Sequence, residues 1–305
     1  METSRVAFKS GFVSIIGLPN AGKSTLLNSI IKENIAITSK KAQTTRMNLK
    51  GIYNDDNSQI VFVDTPGINN GKTLLDDYMK KSILKALVDI DLILVLIDIN
   101  TYKEEDYTKI VNLIKKSSVK KILVINKCDV YDGDIELAID EIKENLNDLD
   151  FRDSIPISAL KKKSIKELVS LIKASLPEGM PYYDPDDLTD SPTKKILADM
   201  VRQQCLYKLD KEVPHSLEVI VDSMKTSKTK CVNIMATIVC DKESHKRIII
   251  GKNGSMIKNI GTGARISIEK FLDKKVNLKL NVIVRENWRD ELTLLTNYGY
   301  DKDLI

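Results

Sequence analysis

The sequence has little cysteine and less histidine. Cys128, Cys205, Cys231 and Cys240 are scattered over 305 residues with no C-x-x-C pair, and neither His215 nor His245 stands near them at zinc-finger spacing. That pattern argues against a disulfide framework and a zinc site and leaves cytosolic thiols as the reading. Long hydrophobic runs are missing too. The densest, LILVLI at 92–97, suits one buried strand and falls far short of a membrane span. The first residues, METSRVAFKSGF, lack the apolar core of a signal peptide. The expected location is therefore the cytoplasm, with a peripheral contact to the inner face of the membrane left open. Neither sign of charge dominates, since the net charge is +4. It is unevenly spread: residues 1–189 carry 26 Lys and Arg against 28 Asp and Glu, and residues 190–305 carry 21 against 15. The basic excess of the second part points to a polyanion partner there. There is no internal repeat and no low-complexity tract, and the length suits two domains.

What is present alternates. GFVSII (11–16), DLILVLID (91–98), KILVIN (121–126) and SIPIS (154–158) read as short buried strands, and NLKGIY (48–53) and QIVFVD (59–64) as a strand pair around NDDN. Apolar residues at helical spacing mark helices from Lys23, over 74–90, between the strands at 91–98 and 121–126, and over 164–176. Strands alternating with helices predict an α/β domain, a mostly parallel sheet with helices on both faces. The texture changes at PEGMPYYDPDDLTDSP (177–192), which holds four prolines with Asp184, Asp186, Asp187 and Asp190 among them. Proline resists both helix and central strand, so this reads as a linker. Beyond it the pattern predicts a helix at 194–208, strands near 216–223 and 230–240, a helix–GKNG–helix segment over 244–272 and a strand at 276–286. The expected domains are 1–176, a linker at 177–193, a second domain at 194–287 and a C-terminal tail at 288–305.

Chemistry enters with GLPNAGKST, residues Gly17, Leu18, Pro19, Asn20, Ala21, Gly22, Lys23, Ser24 and Thr25. It satisfies G-x-x-x-x-G-K-[ST] after an apolar strand and before a helix. Inward-pointing N–H groups and the helix N-terminus form an anion cradle, Lys23 reaches the outer phosphates, and the Ser24 hydroxyl suits Mg²⁺. Asp64, Thr65, Pro66 and Gly67 (DTPG) close the strand QIVFV. A strand-end Asp holds Mg²⁺ in such sites, and the Gly67 N–H is placed to sense a γ-phosphate. Asn126, Lys127 and Asp129 (NKCD) close the strand KILVI: Asp129 can accept from the N1–H and 2-amino group of guanine, Lys127 can lie over the base, and Asn126 can brace the loops. Adenine would leave that carboxylate unpaired, a mismatch that can discriminate by about 10⁴. Taken alone, Asp129 could equally cap a helix. Ser158 and Ala159 follow the next strand, where a backbone N–H could meet guanine O6. All four stretches fall in order at strand C-terminal ends, where ligands bind in open α/β sheets.

These motifs resemble the Ras-like P-loop GTPases, and N-K-x-D separates those from P-loop ATPases. The resemblance implies GTP and GDP as ligands, Mg²⁺ as cofactor and a switch in ITSKKAQTTRMN (37–48). Thr45 resembles the family's Mg²⁺-ligating switch threonine; Thr44 is the close competitor. In Ras a Gln follows the corresponding tetrapeptide and orients the attacking water. Here Ile68 stands there, with no polar atom. Related GTPases with an Asn in the phosphate loop and an apolar residue after DTPG use a bound K⁺ to spread positive charge over the leaving group. That implies such a role for Asn20, which could otherwise serve only the loop's own hydrogen bonds. Lys23, Asn20, Thr45 and Gly67 are thus the candidate catalytic residues.

Ile250, Gly251, Lys252, Asn253 and Gly254, with Lys258 beyond, form a G-x-x-G loop between two helical segments. This resembles a KH domain of the bacterial type (type II), whose loop clamps a single-stranded backbone. Ile248, Ile249, Ile250 and Ile257 could floor the bases or simply be core, and Arg265 and Lys270 could meet phosphates or solvent. GTPase first, proline-rich linker, KH last: with KAQTTR, DTPGI, IIIGKNG and VIVRENWRDE…LTNYGY the chain resembles the Era family within the TrmE-Era-EngA-like group. Ala21 and Met47 depart from commoner family choices. The resemblance implies a GTPase that binds the 3′ end of 16S rRNA and acts in 30S subunit assembly, with a link to cell growth and division; a monomer is the expected state. No protein partner follows from it. The alternative is a membrane-associated, nucleotide-regulated binding module with negligible turnover.

Overall fold

A computed structural model describes residues 7–39, 41, 44–67, 71–228 and 230–305. Ile68 lies outside the described residues. The chain divides into two compact units: residues 1–36, 45–69 and 82–190, and residues 37–44, 70–81 and 191–305.

The first unit is built on β1 (Lys9–Gly17), β2 (Leu49–Asp55), β3 (Ser58–Asp64), β4 (Leu92–Asp98), β5 (Lys120–Asn126) and β6 (Phe151–Pro156). They lie in the order β2-β3-β1-β4-β5-β6, with only β2 antiparallel to its neighbour. β3 and β4 are fully buried along their length, as near-continuous apolar runs covered on both faces require. Burying each such Ile, Leu or Val stabilises by about 1.5–3 kcal/mol relative to exposure. Helices α1 (Lys23–Ile31), α3 (Glu104–Ile114), α4 (Ile135–Asn145) and α5 (Ile165–Ser175) occupy the connections, and α2 (Leu74–Lys85) is divided, residues 74–81 counting with the second unit and 82–85 with the first.

Two details differ from the sequence expectation. α2 stops at Lys85 rather than 90, because a turn from Leu84 and Lys85 leads to Asp89, which takes φ 54°. The sequence expectation lacks α4, although Asp134 caps it by accepting from the N–H groups of Glu136 and Leu137, and Ile135, Ile139 and Ile142 follow at helical spacing. The proline-rich segment forms no helix and is tied along the sheet edge. Ile52 N–H donates to Leu188 O at 2.9 Å, and the Gln59 side chain accepts from the N–H groups of Tyr182 and Tyr183. An edge strand's unpaired groups are thereby covered.

The second unit follows the expected order: α6 (Thr193–Lys208), β7 (Leu217–Thr226), β8 (Val232–Cys240), α7 (Glu243–Ile250), α8 (Ser255–Leu272) and β9 (Val276–Val284). β7 and β8 are antiparallel, β8 and β9 parallel. The core joins Leu197, Val201 and Cys205 of α6 to Ile249 of α7, Ile260, Ala264 and Ile268 of α8, and the sheet. Burial pushes the Cys205 thiol up to about 12. The tail is folded as well. Trp288 is fully buried and donates its indole N–H to Ser216 O at 3.0 Å, the short helix α9 (Leu292–Asn297) follows, and the Tyr300 hydroxyl donates to Glu218. Within this unit, Thr38 O accepts from Gln203 Nε2 at 3.0 Å and from the Tyr207 hydroxyl at 2.8 Å, and Thr44 O accepts from Arg202. Among the described residues no helix is long and apolar enough to cross a membrane.

Candidate functional site

The loop after β1 enters α1 through Gly22, which sits at φ 103°, ψ 21° with no side-chain cap on the helix. The first N–H groups of α1 are therefore left to a ligand. Gly22 is required twice over. Its φ disfavours any side chain, and a Cβ there would lie 2.3 Å from Asn126 Nδ2. Asn126, buried at the end of β5, donates through that nitrogen to Ala21 O at 2.8 Å and accepts from Ala159 N–H at 3.0 Å. One amide thus ties the phosphate loop to the loop after β6. Asn20 is exposed at φ 66°. Leu18 and Pro19 are half-buried, and a Cβ on Gly67 would lie 2.9 Å from the Pro19 ring. Thr65 donates to Ile15 O at 2.8 Å, and Pro66 is buried beside it. Thr25 is half-buried on the first turn of α1.

The three expected Mg²⁺ ligands converge. Ser24 Oγ donates to Asp64 Oδ2 at 2.7 Å, Thr45 Oγ1 donates to the same oxygen at 3.2 Å, and the two hydroxyls are 3.0 Å apart. Thr44 turns away and donates to Lys41 O at 2.8 Å. Asp64 is fully buried, and among the described residues its Oδ1 has no hydrogen-bond partner. A buried carboxylate oxygen without a donor is costly. It fits a site for a hard cation and its water, as does the all-oxygen donor set. Burial raises the Asp64 pKa, against the opposing pull of Lys23, Ser24 and Thr45. Lys23 donates to Gly17 O at 2.9 Å and Leu18 O at 3.0 Å, and burial pushes its pKa down to about 8, with Asp64 resisting.

At the other end of the site, Lys127 takes φ 66° and Asp129 is exposed in the turn Cys128–Val130, which carries no side-chain cap. Ser158 and Ala159 differ from the sequence expectation. Ser158 N–H donates to Lys163 O and Ala159 N–H to Asn126, so both N–H groups brace loops instead of standing open toward guanine O6. Sequence reasoning missed Asp98 and Asn100, which hold Lys127: the Asp98 Oδ2–Lys127 Nζ distance is 2.6 Å, and Asn100 donates to Lys127 O at 3.2 Å. The signal was the polar end of an otherwise apolar strand.

In the second unit α7 ends at Gly251, and Gly254, at φ 74°, begins α8. Lys252 and Asn253 are exposed on the loop and Lys258 on the first turns of α8, while Ile250 is half-buried. Ile249 is fully buried and belongs to the core, not to a base floor. Ile250 and Ile257 pack partly against that core, and Ile248 is 49% exposed. Arg265 is paired with Glu269 at 2.9 Å. Among the described residues no group of three or more His, Cys, Asp and Glu could hold a metal ion.

The family model described as a 50S ribosome-binding GTPase matches residues 12–127, and the KH domain model matches residues 212–289. GTPase Era of Clostridium kluyveri is 47% identical over 294 residues, which is 96% of this chain and 99% of that protein. The crystal structure of an Aquifex aeolicus Era variant bound to GDP·AlF₄⁻ matches with a TM-score of 0.91 at 37% identity, covering 96% of this chain and 99% of that one. An Era structure in complex with MgGDPNP and nucleotides 1506–1542 of 16S ribosomal RNA matches with a TM-score of 0.90 at the same identity and coverage.

Proposed function

Since the chain belongs to the Era family of GTPases, we propose that it binds the 3′ end of 16S rRNA through its KH domain and acts in 30S subunit assembly, with GTP hydrolysis setting when the RNA is held. Hydrolysis of GTP to GDP and phosphate is the family's activity. The observation that carries the site reading is the meeting of Ser24 and Thr45 on Asp64 Oδ2, beside a buried Asp64 Oδ1 that has no partner among the described residues.

In this reading the Lys23 ammonium leaves its loop carbonyls for the β- and γ-phosphates, and the N–H groups of 20–24 cradle the phosphates. Gly67 N–H meets the γ-phosphate, and Asp129 pairs with the guanine edge. Ser24, Thr45 and Asp64 would hold Mg²⁺, and the Asn20 amide oxygen would hold K⁺; bound there, the cations supply positive charge to the phosphate oxygens. Phosphoryl transfer needs mainly such positioning and charge neutralisation, so an apolar Ile68 does not forbid it. Lys252 and the N–H groups at the start of α8 would clamp RNA phosphates, supported by the relative solved with nucleotides 1506–1542 of 16S rRNA. Coupling requires different RNA affinity in the two nucleotide states. It is supported by segment 37–44, which leads directly into Thr45 and belongs to the unit that carries GKNG. The protein works as a monomer in the cytoplasm, with peripheral attachment to the inner membrane face and a link to cell growth and division.

The test is GTP hydrolysis in K⁺ against Na⁺, with and without a single-stranded 16S 3′-end oligonucleotide. Faster turnover in K⁺ and a further change with RNA are expected. Equal rates in Na⁺ would remove the role of Asn20. Phosphate release that neither addition lifts above background would leave a nucleotide-regulated binding module.

A further inference from the structure

The geometry points to Asp98, at the end of β4, as a positioning residue that holds the Lys127 ammonium over the purine before nucleotide arrives. The strand register sets this up. β4 and β5 run parallel with Asp98 opposite Asn126, so the carboxylate stands one residue from Lys127. Asp98 divides its two oxygens. Oδ2 lies 2.6 Å from Lys127 Nζ, and Oδ1 accepts from Asn100 N–H at 3.1 Å. Asn100 also donates its side-chain amide to Lys127 O at 3.2 Å. The backbone of Lys127 is held elsewhere too: Val130 N–H donates to Lys127 O, and the neighbouring Cys128 N–H donates to Ile157 O. A lysine at φ 66° is unfavourable by itself, and these bonds make that conformation the one the loop keeps.

The side chain of Asp98 is 9% exposed and that of Lys127 37%. The ion pair is therefore sheltered on the carboxylate side, while one face of the lysine stem stays open. A flexible four-carbon side chain normally loses rotamer freedom when a ligand orders it. Here the loss is taken in folding, so the purine meets a stem already laid in place. The effect acts on the base end alone and is the same for GDP and GTP. It rests on the reading of NKCD as the guanine site, which binding of GDP by the parent protein tests separately.

The experiment is titration of GDP and GTP with the full-length chain carrying Asp98→Asn, which keeps the shape and removes the charge. Both dissociation constants are expected to rise together by about tenfold, the cost of ordering one long side chain on binding. In hydrolysis assays KM should rise with kcat unchanged. In a Lys127→Met background, Asp98→Asn should add less than twofold, because the partner it acts through is gone. Unchanged affinities, a fall in kcat at constant KM, or full additivity with Lys127→Met would each overturn the proposal. Should Asp98→Asn lower the melting temperature without nucleotide, the charge-keeping Asp98→Glu decides: binding within about threefold of the parent upholds the role, and a loss equal to that of Asp98→Asn ends it. Failure of the parent to bind GDP would instead remove the guanine-site reading.

Discussion

Two glycine loops in this chain each open a helix through a residue in the left-handed region, and they are built oppositely. Gly22 is walled in, since a Cβ would strike the Asn126 amide at 2.3 Å. Gly254 has nothing within 4 Å of its missing Cβ. The first loop is braced from below by a buried asparagine and closed on one side by Pro19 against Gly67. The second stands exposed between α7 and α8, with Lys252 and Asn253 in solvent. A triphosphate is small and its grip must be complete, so the protein packs donors around it. A polynucleotide backbone is long and arrives from outside, so the loop that meets it must leave room. The same backbone device, free N–H groups at a helix start, is suited to either task by what surrounds it.

The largest effect should come from Asp129→Asn, which exchanges an acceptor for a donor at the purine edge. GTP affinity should fall by about 10⁴ and xanthosine triphosphate be gained in its place, read by calorimetry; undiminished GTP binding would sink the guanine site. Gly22→Ala forces the Asn126 amide out and strands Ala21 O and Ala159 N–H. Two unmade buried hydrogen bonds and a strained φ together predict a loss of about 10³ in GDP affinity. Gly254→Asp meets no such wall. It should keep the fold and the GDP affinity, and weaken 16S 3′-end binding by about thirtyfold through left-handed strain and charge repulsion. If it also disturbed GDP binding or the melting temperature, the contrast between a walled and an open loop would fail. Lys252→Ala is the smallest: binding falls a few-fold, and the slope of log K against log salt drops by about 0.7, one phosphate contact on a single strand.

Much of the fold was legible because its signals are local. The apolar run at 92–97 is a strand that water never touches, and the alternation of such runs with helical spacing dictated a mostly parallel sheet. The helix–strand–strand–helix–loop–helix–strand order of the second unit was equally readable. α4 is legible by the same kind of local signal. Its cap at Asp134 and its Ile135, Ile139 and Ile142 stripe are ordinary signals hidden between the louder NKCD and SIPIS. The extent of α2 was not legible, because its apolar spacing continues past Lys85 while its helical bonds give way there to turn bonds from Leu87 N–H to Leu84 O and Val88 N–H to Lys85 O. At the base end, a free N–H was expected at Ser158 or Ala159, and both N–H groups have partners elsewhere in the protein.

The order of residues already says which atoms are available: a glycine-framed loop ending in Lys-Ser, an aspartate at a strand end, an Asn-Lys-x-Asp, a G-x-x-G between helices. Each works through neighbours in the chain, so a few consecutive letters carry it. Only the tertiary structure decided that Thr45 and not Thr44 faces Ser24 and Asp64, that Asn126 joins two loops, that Asp98 reaches Lys127, and that Ile249 is core while Ile248 is half open. Those choices depend on side chains brought together across tens of residues by strand register and helix rotation. Hydrophobic periodicity reports which face of an element is buried, and it carries no information about which distant atom waits there.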